Sequence, residues 1–189
     1  MDSIIASAFQ LTRKHTIMTR SIDNTDNFLD SRDIIARIED LQSDLDSYLE
    51  AIRDADLEDN PAEARSEPIA ALFEWLGVSV PAEDEEFDPD AFTLSEHVTA
   101  GMGNEAEELL ALQNLADEAE GCADWQYGET LIHEDYFTDY ARELASDCCD
   151  MKNANTWPFN CIDWDHAAKE LTHDYCEVEF AGETYLIRA

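Results

Sequence analysis

Apolar side chains recur in residues 31–57 at Ile34, Ile38, Leu41, Leu45, Tyr48 and Ile52, with spacings of 4, 3, 4, 3 and 4. That alternation is the seam of a bundle or coiled-coil helix. Ser31 is placed to cap its start, with Asp33 in the first turn, and Asn60 and Pro61 end it. Between the apolar positions lie Asp33, Glu39, Asp40, Asp44, Asp46 and Glu50. One face is therefore predicted to be buried and the other to be a row of carboxylates. The same spacing offers a seam for a homodimer through residues 31–57.

Weaker periodic stretches follow. Pro68 is expected in the first turn of a second helix opened by Ser66, with Ile69, Leu72, Phe73 and Leu76 inward and Gly77 at its end. Residues 81–90 read as an acidic loop interrupted by prolines. Residues 104–120 predict a helix with Leu109, Leu110, Leu112 and Leu115 on one side, stopped by Gly121. Residues 133–149 predict another, with Tyr136, Phe137, Tyr140, Leu144 and Cys148 inward, and Asp163 caps a last one that begins at Trp164. The period then drops to two: residues 176–180 and 183–188 flank Ala181-Gly182, a hairpin signal. A lone hairpin is marginal and must pack on helices. The expected fold is α+β, mostly helical, with a long N-terminal amphipathic helix and a small C-terminal β-hairpin. Its regions are a mobile tail over 1–27, an acidic helical region over 28–122 and a helix–helix–hairpin region over 123–189. Met18 is an alternative start.

Composition changes this picture through charge. The chain of 189 residues carries 45 Asp and Glu against 11 Lys and Arg, a net charge of −34. A small domain needs a magnitude of only about 2–8 for solubility, and such an excess costs stability by self-repulsion. A hydrophobic share of 44% nevertheless suits a packed core. The bases are few and scattered, so direct binding of nucleic acid or of an anionic membrane is excluded. No apolar run is long enough to span a bilayer, and the first residues do not read as a signal peptide. Five cysteines without framework spacing point to free thiols in a cytoplasm, that of a host cell if the chain is phage-encoded. The first 20 residues stand apart: Arg13, Lys14 and Arg20 against Asp2, so that the remainder holds 44 acids and 8 bases.

Chemistry finds little support. Cys148, Cys149, Cys161, His166, His173 and Cys176 are metal-capable side chains, but they lack paired ligand spacing, and residues 84–90 lack the glycine and pattern of a calcium loop. No metal or cofactor is expected. There is no phosphate loop, nucleophile elbow or zinc-protease motif, and no catalytic residue is assigned. Ordinary helix faces mix acids with Lys at i,i+4, because like charges there are unfavourable. Here carboxylates stand without such partners and offer a row of negative charge comparable to a phosphate backbone. The residues expected to replace phosphates are Asp40, Asp44, Asp46, Glu50, Glu83, Asp84, Glu85, Glu86, Glu105, Glu107 and Glu108.

Residues 30–39 (DSRDIIARIE), 131–144 (LIHEDYFTDYAREL), 162–171 (IDWDHAAKEL) and 174–188 (DYCEVEFAGETYLIR) resemble phage and mobile-element antirestriction proteins. The stretch from Asp163 to Leu171 is similar to the C-terminal part of ArdA-type DNA mimics. The resemblance implies an acidic, non-catalytic inhibitor that takes the place of duplex DNA in a restriction enzyme or similar nuclease, a host–virus interaction with a basic DNA-binding partner. Two other readings fit the charge: an anti-CRISPR inhibitor at a nucleic-acid groove, and a salt-adapted structural or assembly protein.

Overall fold

The structure, a computed structural model, describes residues 21–81, 87–149, 156–157 and 159–189. Strand β1 (Phe28–Asp30) runs directly into helix α1 (Ser31–Ala55), and α2 (Pro61–Leu76), a short α3 (Leu94–His97) and α4 (Glu105–Ala119) follow. The chain then returns to the sheet as β2 (Thr130–His133), crosses to α5 (Phe137–Cys148) and α6 (Trp164–Leu171), and closes with β3 (Tyr175–Phe180) and β4 (Glu183–Arg188). The fold is thus mixed α+β and mostly helical, with the C-terminal hairpin present.

That hairpin does not stand alone. Four antiparallel strands align in the order β1-β2-β4-β3, with Leu29 opposite Leu131, Ile132 opposite Leu186 and Val178 opposite Tyr185. Alternation along the strands supplies both faces of this sheet. Leu29, Leu131, Val178, Phe180, Tyr185 and Ile187 join one core with α1, α2 and α4, while Ile132 and Leu186 join a second with Phe137 and Ala141 of α5 and Ala168 of α6. Helices therefore cover both sides. The main core spans Leu29 to Ile187 and so draws on both the expected 28–122 and 123–189 regions.

Helix α1 buries its stripe inside the chain. Ile34, Leu41 and Ile52 are completely enclosed, Leu45 and Leu49 nearly so, and α2 and α4 pack on it. The seam that the spacing offered to a second copy is thus filled by elements of the same chain. Its cap is Asp30, not Ser31: the Asp30 carboxylate accepts from the Arg32 N–H at 2.9 Å. Ser31 is buried instead, and it ties β1 to the start of β2. Its N–H donates to the Glu129 carbonyl at 3.0 Å, and its hydroxyl oxygen accepts from the Glu129 N–H at 2.8 Å.

Other boundaries shift for local reasons. Helix α2 starts at Pro61, whose missing N–H costs nothing in a first turn, so Pro68 lies inside the helix and not at its start. Residues 130–136 form β2 and a 3-10 turn before α5, so the expected helix from 133 begins at Phe137; Cys148 is exposed at its end, not inward. Asp163 does cap α6, accepting from the His166 N–H at 3.1 Å. Residues 21–27 are tied to the fold and are not part of a tail. Ile22 packs on the main core, and the buried Tyr185 hydroxyl reaches the carbonyls of Asn24 and Asp26 at 2.9 Å each.

Candidate functional site

The carboxylates of α1 occupy two flanks of its exposed face. Asp40 and Asp44, one turn apart, lie toward the amino end of α4; Asp46 and Glu50, with Glu39, lie about 120° round the helix from Asp40. All five are exposed. The 25-residue helix is about 37 Å long at 1.5 Å per residue, about one turn of duplex DNA. Asp46 accepts from Gln42 at 3.0 Å, which holds that carboxylate on the surface.

Asn104 sets where α4 begins. Its side-chain oxygen accepts from the Glu107 N–H at 3.0 Å, capping α4, and its amide donates to the last carbonyl of α2, Leu76, at 2.8 Å. One side chain thereby fixes two helix ends and brings Glu105 beside α1. Glu105 is exposed, accepts from the Trp75 indole at 3.2 Å and stands 4.0 Å from Arg37. Partial burial and then the neighbouring Glu105 and Asp40 charges push the Asp44 carboxyl above its ordinary value, against the opposing pull of Arg37. Asp40, Asp44 and Glu105 therefore form one connected patch of negative potential.

The other two α4 candidates are engaged within the fold. Glu107 folds back to accept from the N–H groups of Gly101 and Gly103, which holds its carboxyl below the ordinary range. Glu108 forms a two-pronged pair with Arg37, and the side chains of Arg37 and Glu108 are only 10% and 13% exposed. Glu108 is thus corrected from a surface phosphate substitute to a member of an internal ion pair. The sequence carries a signal of this: Glu108 precedes Leu112 by four residues and Leu115 by seven, on the buried stripe. Glu83, Asp84, Glu85 and Glu86 lie outside the described residues.

The structure adds a feature that periodicity does not reveal. An open groove of about 1530 Å³ runs along α4, walled by residues 21–24, by the loop before α4 and by the β3–β4 turn. Among the described residues, seven carboxylates line it, those of Asp23, Glu105, Glu107, Glu108, Asp117, Glu118 and Glu179, against a single arginine, Arg37. Glu118 also accepts the Glu179 N–H at 2.8 Å, occupying a backbone donor of the edge strand β3.

Most of the described arginine charge is consumed within the fold. Of the six described arginines, five pair with the chain's own acids: Arg32 with Asp30, Arg37 with Glu108, Arg53 with Asp90, Arg65 with Asp56 and Arg142 with Asp139. Among the described residues, no group of three or more His, Cys, Asp or Glu is arranged to hold a metal ion, and no helix is long and apolar enough to cross a membrane. No protein-family model matches the chain, and no curated protein or solved structure matches it.

Proposed function

We propose that the protein is a DNA-mimic inhibitor whose acidic α1–α4 face occupies the DNA-binding site of a host defence complex, a restriction enzyme or similar nuclease. The observation that carries this reading is the charge arrangement: five of the six described arginines are paired internally, while Asp40, Asp44, Asp46 and Glu50 stand exposed on two flanks of α1 over residues 40–50, with Glu105 of α4 beside the first flank. The ends of this face are held by rigid elements, since Asn104 pins α4 and Asp30 caps α1. A fixed row of negative charge steers a basic cleft into register and raises the association rate at low salt. The carboxylates perform no chemistry in this reading; they take the place of phosphates. The antirestriction resemblance of residues 30–39 and 162–171 supports the same class of partner.

The test is displacement of duplex DNA from a panel of purified restriction and CRISPR nucleases, read by gel shift. The chain is expected to release duplex from at least one of them, and a variant carrying Asp40→Lys, Asp44→Lys, Asp46→Lys and Glu50→Lys is expected to release far less. If the reversed variant displaces duplex as well as the parent chain does, this face is not the mimic.

A further inference from the structure

Two hydrogen bonds fix the path by which residues 21–24 cross the acidic groove. Asn24 donates its side-chain amide to the Ala181 carbonyl in the β3–β4 turn at 3.0 Å, and the Ile22 N–H donates to the Glu108 carboxylate at 3.0 Å. Followed toward the N-terminus, the chain passes from the β3–β4 turn to Glu108 in the first turn of α4. Ser21 lines the groove. One peptide step is 3.8 Å, so the segment that precedes Ser21 must start from the groove.

The charges are complementary. The first 20 residues carry Arg13, Lys14 and Arg20 against Asp2, in a chain of −34 overall. Among the described residues, the groove holds seven carboxylates and one arginine, and that arginine is already committed to Glu108. We infer that residues 13–20 dock against the groove and cover the Glu105, Asp40 and Asp44 end of the chain's own acidic face. Seven extended residues reach about 24 Å, which carries Arg13 and Lys14 from the groove onto the flank of α1. Half-buried Leu110 and Ala111 in the groove offer an apolar floor for Ile17 and Met18. Burial first, and then the Glu105 and Asp40 charges, raise the Asp44 carboxyl, and a neighbouring cation counters the charge part of that. The N-terminal segment then acts as an internal competitor that any basic partner must displace. This holds whatever that partner is, and it is read on the isolated chain, so its failure leaves the proposed function untouched.

The experiment compares the full chain with the full-length variant Arg13→Gln, Lys14→Gln, Arg20→Gln by amide hydrogen exchange at low salt. In the variant, amides of residues 21–24 and 98–104 are expected to exchange on the order of tenfold faster, while those of β3 and β4 stay unchanged; 1 M NaCl should reproduce the effect in the parent chain. Equal exchange in the two chains overturns the inference. Carbodiimide coupling of a mixture of isotopically light and heavy chains supplies the second readout. Lys14 is expected to couple within one chain to Asp40, Asp44, Glu105 or Glu107. Coupling only between chains assigns the groove to a second copy and overturns the inference as well.

Discussion

Arg37 and Glu108, 71 residues apart in sequence, meet in a fork-to-fork ion pair between α1 and α4: Nε to Oε1 at 3.1 Å and Nη2 to Oε2 at 2.7 Å. In a chain with so few cations, one arginine is placed inside, at the junction that orients the acidic face. Removing one partner leaves a poorly solvated charge unpaired, which typically costs about 3–5 kcal/mol. Arg37→Met is therefore expected to destabilise the protein by about 3 kcal/mol, measured by urea denaturation at pH 7. The double variant Arg37→Met, Glu108→Leu should recover most of that loss, because neither charge is then buried alone.

The same pair sets a pH dependence. Burial raises the Glu108 carboxyl, but the Arg37 guanidinium and the Ile22 N–H outweigh it and hold the group below its ordinary value. A depressed carboxyl contributes stability above its unfolded value, near 4.3, and loses that contribution as pH falls through the lower folded value. The stability gap between the parent chain and Glu108→Gln should be full at pH 7 and close at pH values below about 4. A gap that stays constant down to pH 3 would show that the charge of Glu108 is not what matters.

Asp44 shows the opposite sign. Its folded value is raised, so its ionisation is less favourable in the fold and stability is lost as pH rises through the ordinary carboxylate range. Asp44→Asn is expected to stabilise the chain at pH 7 by removing a partly buried charge and its repulsion with Glu105 and Asp40, the i,i+4 repulsion with Asp40 alone being worth about 0.3 kcal/mol. The repulsive part of the gain should be lost in 1 M NaCl, where charges are screened over about 3 Å, leaving only the part due to burial. Thermal melts at two salt concentrations read both effects. They also address salt adaptation, since a salt-requiring fold would melt on transfer to dilute buffer and relief of one charge would not prevent it.

Tyr185 and Ser31 fasten the segments around the sheet. Tyr185→Phe keeps the ring but removes the hydroxyl that reaches Asn24 and Asp26, at a cost of about 1 kcal/mol. Faster exchange should be confined to residues 21–27. Ser31→Ala leaves the Glu129 N–H without its hydroxyl acceptor and should cost about 1–2 kcal/mol, seen as a lowered urea midpoint.

Long, regular patterns were legible in the sequence. The α1 stripe, the Asn104 start of α4, the Asp163 cap and the β3–β4 hairpin are local signals repeated over many residues or tied to one capping side chain. Strands β1 and β2 were not legible, because three and four residues are too few to show a period of two. Leu131 and Ile132 face opposite cores and read equally well as the start of a helix. Arg37 carries no such signal, because a charge on an apolar stripe reads as an interruption and its partner lies 71 residues away. Asp40, Asp44, Asp46, Glu50 and Glu105 do lie on the surface as expected, but the groove joins distant segments that no periodicity connects.

The most direct test of the mimic reading is capture from a bacterial lysate on the immobilised chain at low salt, followed by elution with duplex DNA. The expected result is that DNA-binding enzymes are retained, that duplex releases them, and that the chain with Asp40→Lys and Asp44→Lys retains much less. Retention that duplex DNA leaves undisturbed, or that survives the charge reversal, would contradict a face that stands in for DNA.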